Sequence, residues 1–207
     1  SVDQCWTSNV PANTTYSWRI RTTSTGSGSG ATGPVSDKSG SGNYAYTEAS
    51  SGASGNVAEL TSPIIDMSTA TAPELTFAYH FYGTAINIMY VEGYDGTTWA
   101  VLDSIVGGQQ TSGTDPWIDT TVSLMGYAGT ANFQFRLRAI SQGCCAGDMA
   151  VELDGSATGV FARNMLSGGL ATTAANYDIG NLSSLESYIV DDAGVDVHGI
   201  VLGTAAV

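Results

Sequence analysis

Positive charge is what this sequence has least of. Six lysines and arginines stand against 19 aspartates and glutamates, a formal net charge of -13 over 207 residues. That balance repels nucleic-acid phosphates and anionic membrane surfaces and excludes both as partners. No apolar run approaches the length a helix needs to cross a bilayer, so membrane insertion is not expected. Histidine occurs twice, as His80 and His198, far apart in the chain. There is no nucleophile elbow, His-Glu-x-x-His helix or phosphate loop. His80 lies in an aromatic run, where a hydrogen-bonded structural histidine is expected rather than a general base. Acid pairs such as Asp191-Asp192 are too common in so acidic a chain to mark a glycosidase. The chain reads as non-catalytic.

Cysteine is scarce too. Cys5, Cys144 and Cys145 lack zinc-site spacing. In an oxidising compartment they allow one bridge from Cys5 to Cys144 or Cys145, which leaves an odd thiol. A vicinal Cys144–Cys145 bridge needs a strained turn, and in a reducing compartment all three stay thiols.

What is abundant is glycine, 26 of 207 residues, with serine, threonine and alanine. Charged residues make up only 12%. No signal peptide is visible and the chain opens on Ser1, so it reads as a mature, secreted product. Short runs alternate apolar and polar residues. They are Tyr16–Arg21, Val57–Thr61, Glu74–Tyr82, Ile86–Glu92, Trp99–Ile105, Trp117–Leu124, Asn132–Ile140 and Asp148–Asp154. Turn formers separate them, and Asp95-Gly96 marks a hairpin. Helical periodicity is almost absent, so an antiparallel sandwich or barrel is expected. An Asn13-Thr14-Thr15 sequon lies near the start.

The stretch from Gly33 to Ser54 organises the rest. Asp37 sits among turn formers, where its carboxylate can bond local backbone or hold a cation. Tyr44, Tyr46 and Glu48 fall on one face of the strand that follows. Two carboxylates, Asp37 and Glu48, are thus tied to one short element. The plain alternative is a surface loop followed by an edge strand.

Several segments in order resemble the MAM family. They are Gly33-Pro34, Ser36–Gly40, Tyr44–Ser50, Ala58–Pro63, Leu75–Gly83, the Trp117 to Leu124 segment and Gly147–Val151, with Cys5-Trp6 standing where the family opens on Cys-x-Trp. The resemblance covers roughly residues 5–154. It implies an antiparallel jelly-roll β-sandwich, an extracellular location, and non-catalytic adhesion or recognition. Asp37, Glu48, Asp148 and Glu152 match acidic positions around the family motifs. The resemblance therefore implies a structural calcium ion held where the Asp37 loop meets the closing strand. Calcium takes six to eight oxygen ligands, and a cation would relieve unpaired carboxylates. This chain departs from the family in its cysteine set, and in Glu152-Leu153 where two acidic or amide residues are usual.

Residues 157–207 fall outside the resemblance to the 1–156 domain. They suggest a strand at 158–163, a loop at 166–175, a short helix or strand at 181–190, and an apolar β-branched end, Val195–Leu202. That end either folds back or pairs with the sheet edge of a second copy, which would build a filament. The expected function is a secreted adhesion or structural module that contacts copies of itself or another extracellular protein. The alternative is a carbohydrate-binding accessory module of a secreted enzyme. For that reading Trp99, Trp117, Tyr82 and Tyr94 would supply an aromatic platform for a glycan, an analogy of fold only.

Overall fold

Alternation decides the architecture. Along Gln134–Ser141, Phe135, Leu137 and Ala139 are buried while Gln134, Arg136 and Arg138 are part-exposed. A strand with this pattern needs a partner layer, and the chain supplies one. The computed structural model describes residues 6–9, 15–25, 32–143 and 145–153, with the backbone of two further strands at 188–190 and 196–198.

Ten strands build the body. They are β1 (Thr7–Asn9), β2 (Trp18–Arg21), β3 (Tyr44–Thr47), β4 (Val57–Thr61), β5 (Glu74–Gly83), β6 (Ile86–Tyr94), β7 (Trp99–Val106), β8 (Ile118–Ser123), β9 (Gln134–Ser141) and β10 (Gly147–Glu152). The first sheet runs β1-β4-β9-β6-β7 and the second β2-β3-β10-β5-β8. All their pairings are antiparallel. The two sheets form the expected jelly-roll sandwich. β11 (Tyr188–Val190) and β12 (Asp196–His198) pair with each other in a separate two-stranded sheet. The expected features at 158–163 and 166–175, the helix at 181–188, the sequon at Asn13 and the domain boundary at 156/157 lie outside the described residues. Among the described residues no helix is long and apolar enough to cross a membrane.

Between the sheets sit Leu60, Phe77, Phe81, Met89, Val91, Phe135, Leu137, Met149 and Val151, all fully buried. Trp6 closes one end with its ring edge-on to Phe135, centroids 5.4 Å apart. Burying a large apolar side chain contributes about 1.5–3 kcal/mol, so this core is the main source of stability.

The first sheet carries an ionic ladder on its outer face. Glu92 Oε2 lies 2.5 Å from Arg136 Nε, and its Oε1 lies 2.7 Å from Arg138 Nη2. Arg136 also reaches Glu59 at 2.9 Å. The guanidinium of Arg136 sits 4.3 Å over the Trp99 ring, and that of Arg138 4.4 Å over Tyr90. Burial raises the Glu92 carboxyl, but hydrogen bonds from Arg138 and Arg136 outweigh it and leave the group below its ordinary value. Glu92→Gln removes the one charge that both arginines share. Because the arginines are part-exposed, the expected loss is about 2 kcal/mol rather than that of a fully buried pair. Urea unfolding of both proteins at pH 7 measures it, and a loss under about 0.5 kcal/mol would mean that solvent already neutralises the ladder.

Candidate functional site

The expected acidic residues lie on or beside the outer face of the second sheet. That face is covered, unlike the usual open face of an antiparallel sheet. Every residue of β10 is buried, Asp148, Ala150 and Glu152 included. So is every residue of β3, which lies between β2 and β10 and is not an edge strand. The covering comes from two loops, 32–43 and 107–117. Gly33 N donates to Tyr82 O at 3.1 Å, Val35 N to Gly113 O at 3.0 Å, and Trp117 Nε1 to Ser36 O at 3.2 Å. Gly33 has no room for a side chain, because a Cβ there would stand 2.8 Å from Thr25 Cγ2 and 3.0 Å from Asp148 Cβ.

Asp148 is the centre of one acidic pair. Its side chain is 0% exposed. Oδ1 accepts from Ala49 N at 3.0 Å and Oδ2 from Thr32 Oγ1 at 3.3 Å. Burial pushes its pKa up to about 6, the Glu48 charge adds to the rise, and hydrogen bonds from Ala49, Thr25 and Thr32 oppose it. Glu48 is buried as well. The strand expected to carry it ends at Thr47, and Glu48 instead caps a short 3-10 turn, Ala49–Ser51, with Oε1 accepting from Ser50 N at 3.1 Å. Burial also raises the phenols of Tyr16 and Tyr44, and the Asp148 charge contributes to both.

Asp37 and Glu152 meet at a different place, the 37–39 turn. Asp37 Oδ2 accepts from Ser39 N at 3.1 Å and from its hydroxyl at 2.5 Å, while Oδ1 is buried without a hydrogen-bond partner. Glu152 Oε2 accepts from Lys38 N at 2.8 Å, and Lys38 Nζ pairs with Asp119 at 2.6 Å. Asp148 and Glu152 share a face four residues apart, which on a strand is about 13 Å. The four carboxylates thus divide into two pairs. Among the described residues no group of three or more His, Cys, Asp or Glu side chains is placed to hold a metal. At the Asp148–Glu48 pair the oxygens at hand are two carboxylates, the hydroxyls of Thr25 and Thr32, and the Thr32 carbonyl, which accepts from Thr25. The threonines come from a loop that alternation says nothing about.

The aromatic residues considered for a sugar platform also divide. Trp117 contacts the Tyr44 ring at 5.5 Å and His80 at 5.7 Å in the covered cluster of the second sheet. Tyr94 and Trp99 stack at 5.0 Å on the first sheet. His80 is buried as expected of a structural histidine; burial lowers its imidazole below the ordinary value, while the Asp115 charge and backbone hydrogen bonds at Ser112 and Asp115 oppose the shift. Cys145 is disulfide-bonded. Cys5 and Cys144 lie outside the described residues.

Rat neuropilin-1 is 34% identical over 92 residues, 41% of this chain and 9% of the relative. Xenopus laevis neuropilin-1 is 38% identical over 77 residues, 34% of this chain and 8% of the relative. The chain therefore spans less than a tenth of the length of these relatives. A cleaved adhesin domain of Lys-gingipain from Porphyromonas gingivalis is 16% identical with a TM-score of 0.47, covering 70% of this chain and 87% of that one. The family model described as MAM domain, meprin/A5/mu, matches residues 3–153. With the match spanning most of the chain and the whole sandwich, this protein belongs to the MAM family.

Proposed function

We propose that this chain is a non-catalytic extracellular contact module, calcium-stabilised at Glu48 and Asp148, that joins copies of itself through its C-terminal segment. The observation that carries the contact role is the family match across the whole sandwich. MAM domains mediate adhesion and protein contact, and they are extracellular. The cation reading rests on two like-charged carboxylates buried side by side, with hydroxyl and carbonyl oxygens within reach. Calcium would supply the missing positive charge, while Glu48, Asp148, Thr25 and Thr32 would hold it. Asp37 and Glu152 would steady the neighbouring turn instead.

Self-association is supported by β11 and β12, which pair only with each other among the described residues. A two-stranded sheet is marginal alone and gains from a further edge. Light scattering on the full chain and on a chain ending at residue 153 tests the joining step, each with calcium and with chelator. The full chain is expected to form oligomers and the shortened one to stay monomeric. Equal sizes would remove the C-terminal segment as the connector. A glycan-binding reading has one feature in its favour, the half-buried Tyr94–Trp99 stack on the first sheet. A full chain that is monomeric throughout and retained on a glycan column would favour it.

A further inference from the structure

The two sheets of the sandwich end in four edge strands, β1 and β7 in the first and β2 and β8 in the second. An edge strand offers unpaired main-chain groups to any further strand. β1 has three residues and β2 four, which leaves them few groups to offer. β7 and β8 are longer, with eight and six. They differ in what becomes of their outward groups.

β7 is guarded. Gly107 N donates to Asn87 O at 2.8 Å, with Val106 opposite Ile88 and Ser104 opposite Tyr90. In that register the main chain of Ser104 and Val106 turns away from β6. Two side chains take up part of it. Asp103 Oδ1 accepts from Ser104 N at 2.7 Å, and Gln109 Nε2 donates to Val106 O at 2.8 Å. A register shift at Val91/Glu92 also breaks the line of this pairing.

β8 has no such guard. Leu124 N donates to Pro73 O at 2.8 Å, with Ser123, Thr121 and Asp119 opposite Glu74, Thr76 and Ala78. The same geometry turns the amide and carbonyl of all three away from β5. Among the described residues no loop or side chain bonds these outward groups. The register is unbroken and the strand holds no proline. Its one charge, Asp119, is met at 2.6 Å by Lys38, the single lysine of the chain.

We propose that the free edge of β8 is the acceptor for β12 of a second copy, so that the β12–β11 pair extends the second sheet. This rests on the reading that the C-terminal segment joins copies, and it says where that segment lands. β12 has β11 on one side and no strand on the other among the described residues. It belongs to the apolar run Val195–Leu202, which is longer than β8. Residues 154–187 precede the pair, and a stretch of that length spans up to about 110 Å, so a neighbouring sandwich is within reach. Charge selects between the two long edges. Residues 188–202 hold Asp191, Asp192 and Asp196 and no lysine or arginine. On β8 they meet an acid already neutralised by Lys38. On β7 they would face Asp103, which no lysine or arginine pairs with among the described residues.

Sedimentation velocity and amide hydrogen exchange on the full chain, over a range of concentrations, test the contact. Assembly is expected to slow exchange at Thr121 and Ser123 by at least about tenfold and to leave Val106 on β7 unchanged. T121P removes an outward N–H that β5 does not use, a position where an edge strand tolerates proline. It is expected to raise the concentration of half-assembly by at least about tenfold. K38Q, which leaves Asp119 uncompensated, is expected to raise it about threefold, and S104P on β7 not at all. If T121P does not fold, exchange at Thr121 and Ser123 in the unaltered chain decides. A full chain that assembles while both amides stay fast, or a folded T121P that assembles like its parent, would overturn β8 as the acceptor and leave the C-terminal connector standing. A full chain that is monomeric at every concentration would remove the connector and the acceptor together. Slow exchange at both amides in a monomer would also overturn the contact between copies, since the segment would then lie on its own sandwich.

Discussion

Gly83→Ala is expected to cost about 4 kcal/mol, a large share of the roughly 5–15 kcal/mol that holds a domain folded. Gly83 ends β5 with φ at 130°, a conformation that residues with a side chain rarely adopt, and that alone costs about 1–3 kcal/mol. The second contribution is steric. A Cβ would stand 2.3 Å from Gly147 Cα and 2.4 Å from Ala146 O. Those atoms are backbone of the paired strand, since Gly83 lies opposite Gly147. They retreat only if β10 shifts, and overpacking of this kind costs a further 1–3 kcal/mol. A shift of β10 would also carry Asp148 away from Ala49 and Thr32. Urea unfolding followed by near-ultraviolet circular dichroism gives the difference, and a loss under 1 kcal/mol would show that the strand end yields freely.

The second large effect belongs to Asp148, and its sign is unusual for a carboxylate. The folded value is raised from 3.8 to about 6, so the native chain binds more protons than the unfolded chain between those limits. Stability without calcium therefore falls as pH rises from about 4 to 6, by about 3 kcal/mol, and stays low above that. Calcium should restore most of it at pH 7 and little at pH 4, where the carboxyl holds a proton instead. Asp148→Asn keeps the acceptor for Ala49 N and removes the charge. Its chelated form is expected to exceed the chelated parent at pH 7 by about 2 kcal/mol and to show no response to calcium. Thermal melts at pH 4, 5.5 and 7, with calcium and with chelator, make the comparison. A parent chain whose melting temperature ignores calcium at pH 7 would remove the cation from Glu48 and Asp148. A chelated D148N weaker than its parent would remove the charge penalty itself.

The strands were largely legible because alternation is local. Glu74–Tyr82 and Ile86–Glu92 each differ from the observed strand only at the C-terminal end, and Asp95 closes the expected hairpin by accepting from Thr97 N and Thr98 N at 2.7 and 2.8 Å. The site was legible only as a list of acids. A period of two says that Asp148 and Val151 face opposite ways, but not that both faces end up dry. The covering loops lie far from β10 in sequence, as the Thr32–Asp148 bond across 116 positions shows. Glu48 was misplaced by one element because capping a 3-10 turn and extending a strand start from the same residues. Only its bond to Ser50 N separates the two. The division of the four carboxylates follows from strand rise. Residues four apart share a face in helix and strand alike, but in a strand they stand about 13 Å apart, too far to clasp one ion.

The five basic residues among the described residues are all occupied within the sandwich. Arg19 donates to Thr15 O and Ser51 Oγ, and Arg21 to Thr25 O. Lys38 bridges to Asp119, and Arg136 and Arg138 are held by Glu92. A protease that cuts after lysine or arginine must bind an extended chain with a free basic side chain. Five of its six recognition points here are held by bonds of the fold, and the sixth, Arg163, lies past the last residue of the family match. The scarcity of basic residues thus leaves trypsin-like enzymes little to grip on the described sandwich while it is folded.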